Sequence, residues 1–315
     1  MKYARPTITI GIPAYNEEAN IGNLLEDLRA QKTRRFSIAK IIVACDAPSD
    51  HTVEIVKRHA NHDRRIKLVW GRKRMGQTAR LNQLFHLNTS DYLVCFDADV
   101  ALPKATTLET LVMPLTKSAR VGLVGANLQP AKAENAFEHA MNVMFEIWFQ
   151  VRLQYLNGHN IFSHLGAAFA IKRELAQRVN FPAKIVANQH FLYITTIEKG
   201  WQFKFERKAK VVFRSPSCLA DYRTQGSRAL TEKAQLVAYF GEHIRNYFVT
   251  PASYKFKAIA ITFLHSPLFT SVGLGLLVWI RLYSLVKSAK KHSVLWDTPI
   301  STKRAVLVSN AAQQA

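Results

Sequence analysis

Asp91-Tyr-Leu-Val-Cys-Phe96 runs directly into Asp97-Ala-Asp99. The first stretch is apolar and rich in β-formers, so it reads as a buried strand. Two carboxylates at i and i+2 past a strand end need a reason to sit so close. A bound divalent cation supplies one: carboxylate oxygens suit Mg²⁺ or Mn²⁺, and such ions complete their shell with substrate phosphates. A solvated Asp pair in a turn is the other reading, and for so short a pattern it is the commoner one.

The surroundings of that stretch add weight to the first reading. Upstream, Thr7-Ile-Thr-Ile-Gly-Ile12 predicts a strand, and Pro13-Ala-Tyr-Asn-Glu-Glu18 follows it. Ile21, Leu24, Leu25 and Leu28 then share one helical face, with Asn16 expected as N-cap and Glu17 and Glu18 at the positive end of the dipole. Lys40-Ile-Ile-Val-Ala-Cys45 predicts a second strand, running into Asp46-Ala-Pro-Ser-Asp50, and Thr52 opens the next helix. Ile66-Lys-Leu-Val-Trp70 predicts a third, followed by the basic loop Gly71-Arg-Lys-Arg-Met-Gly76 and a helix from about Gln77 to Leu87. Strands and helices alternating at short spacing predict βαβ units and a mostly parallel α/β sheet flanked by helices. Loops leaving the carboxyl ends of such strands converge on one crevice. Tyr15, Glu17, Asp46, Asp50, Asp97 and Asp99 all lie on such loops.

Five short pieces stand in a telling order: Pro13-Ala-Tyr-Asn-Glu17, Asp46-Ala-Pro-Ser-Asp50, Gly76-Gln-Thr-Ala-Arg-Leu-Asn82, Asp97-Ala-Asp99 and Gln225-Gly-Ser-Arg228. Each is weak alone. Together they make residues 5 to about 228 resemble a family 2 glycosyltransferase with the GT-A nucleotide-sugar-binding fold. The resemblance implies a nucleotide-sugar donor, a divalent metal (Mn²⁺ or Mg²⁺) and inversion at the anomeric carbon. It places the metal on Asp99, with Asp97 beside it, where a Lewis acid would neutralise the diphosphate leaving group. Pro13, Tyr15, Glu17, Asp46, Arg74, Arg80, Asp97, Gln225 and Arg228 are the implied donor contacts. Tyr15 would stack on the base, and Asp46 would accept from a uracil-like N–H. Where the family usually has Gly-Lys, this chain has Gly76-Gln77. Arg74 or Arg80 is expected to replace that diphosphate charge, since arginine binds phosphate well. A solvated basic loop is the alternative for Arg72, Lys73 and Arg74.

The second half departs from the pattern at the catalytic position. The family usually carries an acidic base there; this chain has Asn188-Gln189-His190. Neither amide takes a proton near neutral pH. Three readings stand open. His190 replaces the base; the acceptor needs none, being an already ionised polyprenyl phosphate; or the chain is impaired at this site. Gln225-Gly-Ser-Arg228 lacks the tryptophan that often follows, Ala229 standing in its place, which weakens a polymer-synthase reading. Asp221 reads as an exposed loop residue. His159 and His164 read as satisfied structural histidines.

Composition bounds the rest. The chain has 315 residues, a formal charge of +21 and three cysteines without metal-ligand spacing. Such a charge favours anionic partners; no nucleic-acid motif is present, so phosphates and an anionic membrane are the expected ones. Cys45 and Cys95 fall in expected core strands, and no signal peptide precedes the first strand, which together suggest a cytosolic catalytic domain. Ala258 to Ile280 carries no Lys, Arg, Asp or Glu, enough length to cross a bilayer, but Pro267 interrupts it. An embedded hairpin, a tilted span or a buried helix pair would each fit. Leu230 to Phe248 reads as an amphipathic interfacial helix. The expected organisation is a GT-A domain over 1–229, the interfacial helix over 230–257, a membrane-embedded segment over 258–286 and a basic tail over 287–315. The expected partners are a nucleotide-sugar donor, a lipid or glycan acceptor and an anionic membrane. A silent nucleotide-sugar-binding protein on the membrane is the reading from another class.

Overall fold

A computed structural model describes residues 5–183, 185–286 and 300–306, with the side chains of 227–231 and 284–286 left aside. Seven strands form one sheet in the order β3-β2-β1-β4-β6-β5-β7. β1 (Thr7–Ala14), β2 (Ser37–Cys45), β3 (Ile66–Trp70) and β4 (Tyr92–Phe96) pair in parallel, as expected from the alternation of strands and helices. β5 (Val121–Pro130) and β7 (Gln202–Phe213) are parallel to each other, while β6 (Ala168–Lys172) runs antiparallel between β4 and β5. The result is a mixed, mostly parallel α/β sheet, its faces covered by helices.

α1 (Ile21–Arg29), α2 (Thr52–His62) and α4 (Thr107–Lys117) cover one face. Ile21, Leu24, Leu25 and Leu28 are all buried there, the stripe that the spacing requires. Burying each such side chain is worth roughly 1.5–3 kcal/mol. α3 (Gln77–Leu87), the short α6 (Arg173–Ala176) and α7 (Asn188–Glu198) supply residues to a second cluster, with Phe169, Phe181 and Phe191 at its centre. α5 (Ala136–Gln154) packs against the two C-terminal helices.

The C-terminal part differs from the expectations in three places. α8 spans Leu219–Phe240, so the boundary expected at 229/230 falls inside a continuous helix. That helix does not reach Phe248: Gly241, at φ 99°, stops it, and Glu242–Phe248 continues as 3₁₀ turns. Glycine takes that left-handed backbone without the Cβ clash other residues meet. The uncharged run is likewise split. α9 (Ala252–His265) ends at Ser266, and α10 (Pro267–Val286) begins at the proline, whose missing N–H suits a helix start. Among the described residues no helix is long and apolar enough to cross a membrane. The pair instead lies on the domain, α9 and α10 both against α5, and still exposes Phe256, Phe263, Leu264, Leu268, Val272, Val278 and Leu282.

Candidate active site

The first two crossover loops lock together through their own polar groups. Glu17 N donates to Thr52 Oγ1 at 2.8 Å, and Glu18 N to Asp50 Oδ2 at 3.0 Å. Asn16 does not cap α1, which starts at Ile21 behind Asn20. It sits at φ 53° and its Oδ1 accepts from Ser49 N at 2.8 Å. Ala47 is also left-handed, at φ 52°, a conformation costing a non-glycine residue about 1 kcal/mol or more. Backbone strain of this kind collects where the chain is shaped for a ligand.

Asp46 is fully engaged. Its carboxylate accepts from Met75 N and Gly76 N, both at 2.8 Å, and from Arg80 Nε at 3.0 Å. Arg80 is buried and its Nη1 reaches Gln83. Instead of facing a diphosphate, as expected, it holds the basic loop onto Asp46: turning away would take the buried guanidinium from its only carboxylate partner among the described residues. Arg72 and Lys73 of that loop are exposed, and the half-buried Arg74 lays its guanidinium 3.8 Å from the Tyr15 ring.

Asp97 and Asp99 sit where the sequence places them, past the end of β4. Asp97 N is held by Ala167 O at 2.8 Å, and Asp97 Oδ1 accepts from Gln77 Nε2 at 2.8 Å. Gln77, standing where the family has lysine, thus touches the acidic triplet. Enclosure by protein raises the Asp99 carboxyl above its usual range. Glu17 is pushed up to about 8, first by burial and next by Asp99. Carboxyls that resist ionising beside one another suit a cation between them. No group of three metal-ligating side chains is present among the described residues, but Mg²⁺-type ions are commonly held by one or two carboxylates plus substrate phosphates. Asp97 and Asp99 fit that donor set.

One residue of this site comes from the far end of the chain. Ile300–Val306 returns to the first loop, and Lys303 Nζ donates to Tyr15 O, to Asn16 O at 2.8 Å and to Glu17 Oε1 at 2.7 Å. Asn20 clasps this segment from both sides: its Nδ2 donates to Lys303 O at 2.9 Å and its Oδ1 accepts from Val306 N at 3.0 Å. Asp221, far from idle in a loop, lies in α8 and accepts from Ser301 N at 2.8 Å. Lys303 stands 287 residues from Asn16, a pairing that local sequence pattern does not mark.

Across a narrow cleft stands the start of α7. Pro13, Gln77, Asp97, His164, Gly166, Asn188 and Gln189 line this cleft with several apolar side chains. Asn82 positions that side by a two-way amide clasp on Phe181, at 2.9 and 2.8 Å. Gly166, at φ 83°, lets its loop approach so closely that a Cβ there would lie 2.9 Å from Gln189 Cβ. His190 does not line the cleft. Its Nδ1 faces Glu232 Oε2 of α8 at 3.2 Å without hydrogen-bond alignment. Glu232 also accepts from Gln189 Nε2 at 3.2 Å. Gln225 is exposed on α8, and the side chain of Arg228 is outside the described residues. His159 is a satisfied histidine, accepting from Phe205 N at 3.1 Å. His164 is not: both of its ring nitrogens lack partners.

Comparison with known proteins gives the family and the fold. The model of the family described as glycosyl transferase family 2 matches residues 9–179, more than half of the 315. A dolichyl-phosphate β-glucosyltransferase of Trichomonas vaginalis is 24% identical over 222 residues, 64% of this chain and 66% of that one. An undecaprenyl-phosphate 4-deoxy-4-formamido-L-arabinose transferase of Yersinia pestis is 25% identical over 140 residues, 44% of this chain and 43% of that one. The chain thus spans less than two thirds of each of these relatives. Among solved structures, a mannosyltransferase of Pyrobaculum calidifontis, in complex with GDP-Man and Mn²⁺, superposes with a TM-score of 0.60 at 20% identity, covering 91% of this chain and 77% of the other.

Proposed function

The chain belongs to glycosyl transferase family 2 and is a glycosyltransferase of GT-A fold; from that premise we propose that it transfers a sugar, with inversion, from a UDP-linked donor to a polyprenyl phosphate at a membrane surface. The observation that carries the choice of acceptor is the cleft's lining. Apart from Asp97, which is assigned to the metal below, it offers among the described residues no group that would take a proton from a hydroxyl near neutral pH. Asn188 and Gln189 are amides. His164 is pushed down to about 3 by burial, far from the range where a base works well. Burial raises the Cys95 thiol well above its usual range. Asp97 is engaged by Gln77. A phosphate monoester oxygen is already anionic and attacks without deprotonation.

Two further features support the reading. The relatives above are named for transfer to dolichyl and undecaprenyl phosphates. The exposed apolar side chains of α9 and α10 adjoin Lys255, Lys257 and Arg281, the combination that binds an anionic lipid surface without crossing it. Arg223 of α8 lies over Tyr283 of α10, which adds positive charge beside this surface.

The metal, Mn²⁺ or Mg²⁺, would be held by Asp99 with Asp97 beside it, and would supply charge neutralisation to the departing diphosphate. The chain's own residues orient the rest. Arg74 and Lys303 bring positive charge to the donor side, and Tyr15 offers its ring to the base. The test is transfer itself. Purified protein, UDP-glucose and Mn²⁺ are incubated with vesicles containing either a polyprenyl phosphate or a polyprenol, and lipid-linked sugar is measured by mass spectrometry. Product with the phosphate alone is expected. Equal product with the polyprenol would overturn the choice of acceptor.

A further inference from the structure

The cleft beside Asp97 holds a buried polar side chain that the fold does not satisfy. His164 is fully buried, with the Phe169 and Phe203 rings at 5.4 and 5.6 Å. Neither Nδ1 nor Nε2 has a hydrogen-bond partner, yet the ring lines a tight cleft together with Asn188 and Gln189. Buried polar atoms nearly always have partners, so an orphan lining a cleft marks a place for a ligand atom.

The amides around it are turned by carboxylates at both ends. Asp97 takes Gln77 Nε2 at 2.8 Å, which leaves Gln77 Oε1 to accept Asn188 Nδ2 at 3.2 Å. Glu232 takes Gln189 Nε2 at 3.2 Å. An ionised carboxylate only accepts, so it fixes which end of each amide faces it. The carbonyl oxygens of Asn188 and Gln189 carry no hydrogen bond to the described residues. The imidazole is neutral at any ordinary pH, because burial drives its pKa down to about 3. It therefore offers one N–H and one lone pair.

We propose that His164, Asn188 and Gln189 form an uncharged subsite that reads one hydroxyl-bearing edge of the transferred sugar, and that it selects neutral hexose donors over uronate donors. The inference rests on the donor reading given above. A sugar hydroxyl both donates and accepts, so it can satisfy a carbonyl and the imidazole at once. A carboxylate in the same place would turn its lone pairs toward two carbonyl oxygens, away from water and without a counter-charge, which is costly.

The experiment is calorimetric binding in Mn²⁺ of UDP, UDP-glucose and UDP-glucuronate to the full chain, its His164→Phe variant and its His164→Asn variant. The wild-type protein is expected to bind UDP-glucose at least about tenfold more tightly than UDP-glucuronate, the scale of one or two lost hydrogen bonds in a desolvated site. His164→Phe should keep its thermal midpoint, since an apolar ring of similar shape leaves no orphaned nitrogen. It should bind UDP like the wild type and lose about tenfold for UDP-glucose alone. His164→Asn should recover part of that loss, and it serves as the polar variant if the phenylalanine does not fold. Equal wild-type affinity for the two sugars, or wild-type affinity of His164→Phe for UDP-glucose, would overturn the subsite and leave the donor reading standing. Failure of UDP itself to bind would overturn both.

Discussion

Around the first two loops the site is crowded with charge: Glu17, Asp46, Asp97 and Asp99 face Arg74, Arg80 and Lys303 within a few side chains of one another. Across the cleft, at the start of α7, the same site is built from neutral groups, Asn188, Gln189 and an uncharged His164, with the Glu232 carboxylate set behind them. Each half suits a different part of a nucleotide sugar. A diphosphate and its metal need fixed charges in a desolvated setting. A sugar ring needs directional, uncharged partners. The contrast also separates two kinds of stability: the charged half carries carboxyls that resist ionising, and the neutral half carries an imidazole that resists protonation.

The largest expected effect lies in the charged half. Asp99→Ala should lower metal-dependent turnover by about a thousandfold or more, since losing the metal forfeits several kcal/mol of charge neutralisation. The fold should survive, because the side chain lies past the end of β4. Titrating UDP with and without Mn²⁺ checks this; unchanged metal-dependent affinity in the variant would remove the metal from this half altogether.

Next comes the strap. Lys303→Met should cost about 2 kcal/mol of stability above pH 8, leaving the ionised Glu17 without its ammonium. Glu17 has its folded pKa raised to about 8. Such a group makes the native state hold its proton more tightly than the unfolded chain, so stability declines as pH rises from the ordinary carboxyl range through about 8. Removing Lys303 steepens that decline. The variant's deficit in urea unfolding should therefore be smaller at pH 6 than at pH 9. A deficit independent of pH would mean that the clasp by Asn20, not the ion pair, holds the strap.

The neutral half has the opposite sign. His164 has its folded pKa lowered to about 3, so its contribution is present above the unfolded value and is lost as pH falls toward 3. Between pH 7 and pH 5 the wild type should lose roughly 2 kcal/mol that His164→Phe keeps. Urea unfolding at the two pH values measures the difference, and parallel losses in both proteins would show that the imidazole is not buried as described.

The smallest effect is expected at His190. Transfer to a polyprenyl phosphate should change by less than about threefold in His190→Ala, whereas a general base contributes about 10²–10⁴-fold. Initial rates with the phosphate acceptor decide it. A loss of a hundredfold would return His190, with Glu232 behind it, to the role of base.

Much of the charged half was legible in the chain because each carboxylate stands a residue or two beyond a strand that announces itself. Thr7–Ala14, Ser37–Cys45 and Tyr92–Phe96 are apolar enough to be buried whatever surrounds them, and a parallel sheet brings their ends together. Asp46, Asp97 and Asp99 could be placed on that ground. Arg80 could not: its position on α3 was right, but whether its guanidinium faces a ligand or Asp46 depends on a loop that closes across from residue 75. The C-terminal helices were legible as apolar segments with a break at Pro267, but the end of α8 at Gly241 was not expected from the sequence.

The neutral half and the strap belong to the tertiary structure alone. His164 looked like an ordinary structural histidine because sequence records neither burial nor partners, and an orphaned nitrogen exists only relative to everything packed around it. Glu232 stands more than forty residues from the amide it holds, and Lys303 is separated from Glu17 by 286 residues. By itself the sequence determined the alternation of strands and helices and the carboxylates that end them, because periodicity and burial preference act over a few residues. Which side chains meet across the cleft was decided by packing, since hydrogen bonds and ion pairs depend on distance in space, which the order of residues along the chain does not fix.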